Sequence, residues 1–197
     1  MIAGIVPCAG SSVRMGQPKA LLRFDDRTFV QAVVDALNTG GCDPVLTVVP
    51  DDEAIADAAR ATGARVLTNP HPGEGPITSM RLALTALEES LEGLIYHAVD
   101  YPCVRSETVS ALIEVARESD AALVIPTYEG VRGHPSFFRE RLFSELLNPA
   151  LEGGARTVVH RHLEDARLVA VDDPGVRMDI DTPADYRAMS GAQVRTP

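Results

Sequence analysis

The 197-residue chain carries 18 lysines and arginines, and Lys19 is the sole lysine among them. Lysine is ordinarily one of the commonest residues. A chain that has otherwise gone over to arginine and keeps one lysine marks a position where a compact ammonium on a flexible stem is needed. Lys19 closes the segment AGSSVRMGQPK, residues 9–19. Gly10, Ser11 and Ser12 are small residues whose backbone amides can approach a phosphate, and Gly16 permits a second turn. Arg14 adds a planar donor fork, while Pro18 fixes the backbone just ahead of Lys19. A Gly/Ser turn with two cations is an arrangement for a triphosphate. It matches neither G-x-x-x-x-G-K-[ST] nor G-x-G-x-x-G, and an ordinary strand-to-helix turn with surface cations has the same composition.

Carboxylates supply the second kind of chemistry. Asp100 lies in HAVDYPCV, residues 97–104, at the end of an apolar run, with Pro102 turning the chain away after it. There it could hold Mg²⁺, which takes one or two carboxylates plus phosphate oxygens, or it could cap a helix. In MDIDTPADY, residues 178–186, Asp179 and Asp181 alternate along an extended segment and so point to one face. Thr182 and Asp185 fit a helix cap and its first-turn acid, a structural role. Gly75, followed by Pro76 and a helix start that includes Ser79, is a candidate anion or hydroxyl site. His134, in RGHPSFF, is read either as a structural loop histidine or as a group contacting substrate. His160 and His162 resemble a metal pair, but residues two apart on a helix do not face one ligand.

The elements that must position these groups alternate. Short apolar runs at 2–7, 44–49, 64–68, 93–99 and 121–126 predict buried parallel strands. Between them, 28–39, 51–61, 77–91 and 106–117 have helical spacing, with Ser106 a candidate N-cap and Gly40 and Gly41 a stop signal. Such alternation implies right-handed crossovers and a three-layer α/β/α, Rossmann-like fold with a mostly parallel sheet. In such a sheet ligands bind at the carboxyl ends of the strands, where the first loop and Asp100 fall. After residue 127 the rhythm changes to helices near 139–147 and 155–163, a strand at 167–171 and a last helix from 183. The expected organisation is a single domain over 1–190, with a nucleotide half to about 126, an elaboration over 127–190 and a frayed tail at 191–197.

Charge and composition exclude other classes. With 28 acidic residues and a net charge of −10, the chain is not drawn to nucleic acid or anionic membrane. No stretch of about 18 apolar residues or signal-like N-terminus occurs, so a soluble, cytoplasmic protein is expected. Cys8, Cys42 and Cys103 form no C-x-x-C pair and read as thiols in a reducing compartment.

The motifs together resemble the MobA-like nucleotidyltransferases, which have a glycosyltransferase-A-like fold, and within them the molybdenum cofactor branch. The resemblance runs nearly the whole chain in order: AGSSVRMGQPK, Asp100 in D-x-P, G-H-P, G-A-R and D-I-D-T-P. It implies that Ala9, Gly10, Ser11, Ser12, Arg14 and Lys19 wrap the triphosphate, and that Asn69, Gly75 and Ser79 of NPHPGEGPITSMRLAL line the nucleotide pocket. It implies further that Gly133, His134, Pro135 and Arg156 lie on the acceptor side. Asp100 and Asp181 would hold Mg²⁺, with Asp179 as neighbour or alternate, and Arg14, Lys19 and Asp100 would carry catalysis. Three positions depart from the pattern: Pro7, which has no amide hydrogen, Cys8, and Glu152 in place of an aspartate.

What the resemblance implies is transfer of a nucleoside monophosphate from an NTP to the phosphate of molybdopterin, with release of pyrophosphate. G-H-P and the Ala9–Gly10 start of the loop point to the cytidylyl branch and CTP. Alternatives are a guanylyl or sugar-1-phosphate nucleotidyltransferase and a noncatalytic binder or chaperone of the molybdenum cofactor. Any contact with a molybdoenzyme or its chaperone would be transient.

Overall fold

In the computed structural model, residues 1–10, 12–87 and 90–193 are described. Ser11 and residues 194–197 of the expected tail lie outside them. The first apolar run becomes β1 (Ile2–Pro7), and its alternation sends Ile2 and Val6 into one core and Ala3 and Ile5 into another. A two-strand ribbon, β2 (Arg23–Phe24) and β3 (Arg27–Thr28), then leads into α1 (Phe29–Gly40). Thr28 and Gln31 form a reciprocal capping box at its start, and Gly41, in the left-handed region at φ 102°, ends it.

The alternation continues with β4 (Val45–Val49), α2 (Glu53–Arg60), β5 (Arg65–Thr68), α3 (Pro76–Ala86), β6 (Gly93–Tyr96), α4 (Ser106–Glu118) and β7 (Leu123–Tyr128). The remainder comprises β8 (Val131–Arg132), β9 (Ser136–Arg139), α5 (Phe143–Leu147), α6 (Ala155–Arg161), β10 (Ala166–Ala170) and α7 (Pro183–Gln193). The sheet runs β10-β7-β9-β6-β1-β4-β5, with β8 paired to β7. All are parallel except β8 and β9; β9 is antiparallel to both β6 and β7. Helices α1, α2, α4 and α7 pack one face, and α3, α5 and α6 the other. The architecture is therefore the expected three-layer, mostly parallel fold.

Two details depart from the sequence expectation. The segment read as a loop around RGHPSFF contains β9, which fills the gap between β6 and β7. Ser106 is not the cap of α4: Arg105 precedes the helix, and the buried Asp173 carboxylate takes both the Arg105 amide at 2.9 Å and the Thr108 hydroxyl at 2.7 Å. A carboxylate far along the chain thus fixes the start of this helix, where a local serine was expected to cap it.

Gly133 is where backbone meets backbone. A Cβ there would lie 2.1 Å from the Val176 carbonyl oxygen, which itself accepts from the His134 amide at 2.8 Å. Neither chain can retreat without breaking that bond. Gly133→Ala is expected to destabilise the fold by about 3 kcal/mol, seen as a lower denaturant midpoint with unchanged slope; a loss under about 0.5 kcal/mol, the ordinary surface range, would show that the packing is looser.

Candidate active site

The site forms along the carboxyl edge of three neighbouring strands. Beyond β1 runs the first loop, in which Ser12 (φ 48°) and Gly16 (φ 74°) take left-handed conformations and the Met15 and Gly16 amides fold back on the Ser12 carbonyl. The turn brings the Ser12 hydroxyl to the Lys19 amide at 3.2 Å. Lys19 then opens a one-turn 3₁₀ helix, Lys19–Leu21, immediately after Pro18.

Two distant carboxylates meet this lysine. Its side chain is 10% exposed, and its ammonium lies 3.0 Å from Asp100 Oδ2 and hydrogen-bonds Asp181 Oδ1. Arg14 pairs with the other oxygen of Asp181. Burial alone would lower the Lys19 pKa, but the hydrogen bonds and charges of Asp181 and Asp100 outweigh it and hold the ammonium above its ordinary value. Asp100 follows β6, and the Ile180 amide donates to the Asp100 carbonyl at 2.9 Å, which draws the segment 178–181 alongside. Asp185 accepts from the Thr182 amide and hydroxyl, both at 2.8 Å, and its own amide donates to the Thr182 hydroxyl at 3.3 Å, the reciprocal pair expected of Thr182 as cap and Asp185 as first-turn acid of α7.

The donors present fit a hard divalent cation. Asp100, Asp179 and Asp181 each bring a carboxylate oxygen within 4.8 Å of the others. All are oxygen ligands of the kind that Mg²⁺ and Mn²⁺ select. Asp100 Oδ1 is buried with no hydrogen-bond partner among the described residues, a state that costs free energy until a donor or cation is supplied. Partial burial and the charges of Asp100 and Asp181 push the Asp179 carboxyl up to about 6, although Lys19 opposes the shift.

A cleft of about 1060 Å³ opens over these groups. Of the residues singled out from the sequence, Ala9, Gly10, Ser12, Arg14, Lys19, Gly75, Ser79, Asp100 and Asp181 line it; Ser11 lies outside the described residues. Asn69 does not line it. The buried Asn69 amide instead donates to Thr78 at 2.9 Å and to Ser79 at 3.1 Å, and its oxygen accepts from the His71 amide at 2.9 Å. It therefore fixes the start of α3, with the Ser79 hydroxyl oxygen already occupied as an acceptor. Gly133, His134, Pro135 and Arg156 are not part of the cleft wall. His134 packs its ring on Tyr101 at 4.5 Å between centroids, next to the carboxylates, and Arg156 is exposed at the start of α6. His162 pairs with Glu145 at 2.7 Å. Cys8 and Cys42 are buried free thiols and Cys103 a half-buried one.

Sequence reasoning missed Pro50, Asp52 and Ile55, which bring the wall across to β4. Adjacent strands lie about 4.8 Å apart, so the wall spans roughly 10 Å from Asp100 beyond β6, past β1, to Asp52 beyond β4. The strand-end rule that located the first loop applies equally after β4 and would have found them. Among the described residues no helix is long and apolar enough to cross a membrane.

A parallel sheet whose strand ends present a Gly/Ser loop, a buried lysine and a carboxylate cluster defines an α/β nucleotidyltransferase. Comparison with known proteins agrees. Residues 4–167 match the MobA-like NTP transferase domain, and the chain belongs to that family. It is 31% identical over 202 residues to a probable molybdenum cofactor guanylyltransferase of Mycobacterium avium, covering 98% of this chain and 96% of the relative. A phosphoenolpyruvate guanylyltransferase of Mycolicibacterium gilvum is 31% identical over 163 residues, covering 81% of this chain and 72% of that protein. The crystal structure of Rv0371c from Mycobacterium tuberculosis H37Rv superposes with a TM-score of 0.81 at 31% identity, covering 95% of this chain and 96% of the other. The same protein is known as a manganese complex, with a TM-score of 0.75 and 28% identity, covering 95% of this chain and 97% of that one.

Proposed function

We propose that the protein transfers a nucleoside monophosphate from an NTP to the phosphate of molybdopterin or a closely related acceptor, releasing pyrophosphate. The observation that carries this is the Lys19 ammonium held between Asp100 and Asp181 at the mouth of a Gly/Ser loop. On this reading residues 1–126 supply the nucleotide side, and 127–190 the acceptor side with His134 and Arg156.

An acceptor phosphate oxygen attacks the α-phosphorus, a new P–O bond forms, and the bond to the β-phosphate oxygen breaks. The acceptor is already an anion, so no side chain has to remove a proton. Positioning and charge neutralisation then supply the catalysis. Small residues of the first loop allow its backbone amides to meet the phosphates. Lys19 and Arg14, which neutralise carboxylates in this structure, lie on the same loop and face charge building on the α-phosphoryl and the leaving pyrophosphate. Asp100 and Asp181, with Asp179 beside them, would hold Mg²⁺ or Mn²⁺, which supplies Lewis-acid stabilisation of phosphoryl charge when bound.

Two donors compete on stated grounds. G-H-P and the Ala9–Gly10 loop favour CTP, while the guanylyl names of relatives at 31% identity favour GTP. Pyrophosphate release measured with each NTP, with Mg²⁺ or Mn²⁺, and with or without molybdopterin decides between them. Turnover that requires both one nucleotide and molybdopterin is expected. Equal turnover with a sugar 1-phosphate, or cofactor binding without pyrophosphate, would overturn the assignment.

A further inference from the structure

The proposed mechanism asks Asp181 to help hold a cation, yet both of its carboxylate oxygens are already engaged. Lys19 donates a hydrogen bond to Oδ1, and Arg14 pairs with Oδ2. Asp100 is engaged on one side alone: its Oδ2 receives the Lys19 ammonium at 3.0 Å, while Oδ1 is buried with no hydrogen-bond partner among the described residues. The cluster is therefore open at Asp100 and closed at Asp181.

Charge leads to the same result. Three carboxylates together would draw a divalent cation strongly, but two side-chain cations in contact with Asp100 and Asp181 leave one negative charge of the three. Both closing groups also belong to the loop assigned to the triphosphate. Lys19 is buried at the foot of that loop, with Pro18 ahead of it and the Ser12 hydroxyl on its amide at 3.2 Å, and Arg14 is largely exposed further out. A triphosphate offers the two of them more anionic oxygens than Asp181 does, in a form that a guanidinium binds bidentately and an ammonium as a point charge.

We propose that Lys19 and Arg14 latch the metal site, closing Asp181 to a divalent cation until the triphosphate of the nucleotide takes them over, so that cation and nucleotide bind as a coupled pair. The coupling is reciprocal, each ligand raising the affinity of the other by the same factor. A bare cation is thereby kept from filling the site ahead of the nucleotide. This is a regulation of the site assigned above and rests on the reading of the cleft as an NTP site.

Direct contact between cation and phosphate would couple the two ligands as well, so the closing groups themselves have to be followed, without turnover. Lys19 is the sole lysine, and the ¹⁵N-lysine-labelled protein therefore gives a single Nζ signal. Submillimolar Mg²⁺ alone is expected to leave that signal in place, and α,β-methylene GTP or CTP without metal to shift it. Without nucleotide, Mn²⁺ affinity followed by electron paramagnetic resonance should rise at least about tenfold in Lys19→Gln and by a smaller factor in Arg14→Gln. A signal moved by Mg²⁺ alone, an analogue that binds without moving it, or a Lys19→Gln protein that binds Mn²⁺ no more tightly overturns the proposal. If neither analogue binds, the NTP assignment fails instead, and the measurements with metal alone still decide whether Lys19 closes Asp181.

Discussion

Lys19→Arg is expected to lower kcat/KM for nucleotidyl transfer at least about tenfold, or roughly 1.4 kcal/mol of transition-state stabilisation. The charge is conserved, so the loss comes from shape. The Lys19 ammonium reaches Asp100 Oδ2 at 3.0 Å and Asp181 as well, on a side chain only 10% exposed. A guanidinium is planar, broader and carries its donors in a fixed fork. It cannot enter the same gap with both carboxylates in place, and Arg14 already occupies the outer oxygen of Asp181. Steady-state pyrophosphate release is the measurement. Unchanged kinetics would remove Lys19 from the reacting centre and leave its solitary status to codon bias.

Asp100→Asn should be more severe, lowering kcat/KM by about a hundredfold or more, near 2.7 kcal/mol. The substitution preserves volume and removes the charge of the cluster member whose Oδ1 is buried with no hydrogen-bond partner among the described residues. Mn²⁺ affinity, followed by electron paramagnetic resonance, should fall in parallel. Thermal unfolding of the metal-free protein should shift little, since the lost ion pair with Lys19 is offset by weaker repulsion from Asp179 and Asp181. Retained Mn²⁺ binding together with lost activity would separate Asp100 from the metal site and assign it to orienting Lys19.

Much of this site was legible before any fold was known. Lys19 was visible as a compositional anomaly, and Asp100 as an acid at the end of an apolar run, because loops at parallel strand ends have local signatures. What joins them was not. The approach of Asp181 to Lys19 is helped by the Ile180 amide meeting the Asp100 carbonyl, a contact with no trace in either segment alone. β9 was hidden for a related reason. Four residues, SFFR, lack the alternation of a half-exposed strand because both neighbours and both faces bury them, and Pro135 just ahead reads as a loop.

The segment that carries Asp179 and Asp181 belongs to no strand of the sheet. Its fastenings include the Asp173 carboxylate on the start of α4, the His134 amide on Val176, the Ile180 amide on Asp100, and the pairs of Asp181 with Lys19 and Arg14. A unit tied by loop and side-chain contacts rather than by a strand ladder can open sub-globally while the sheet stays folded, and hydrogen exchange would report a free energy of opening below that of β1 or β4. A cation shared by Asp100 and Asp181 would cross-link that unit to the rest. Occupancy of the site then becomes readable far from the chemistry, as slowed exchange of the Ile180 amide relative to amides of the central strands.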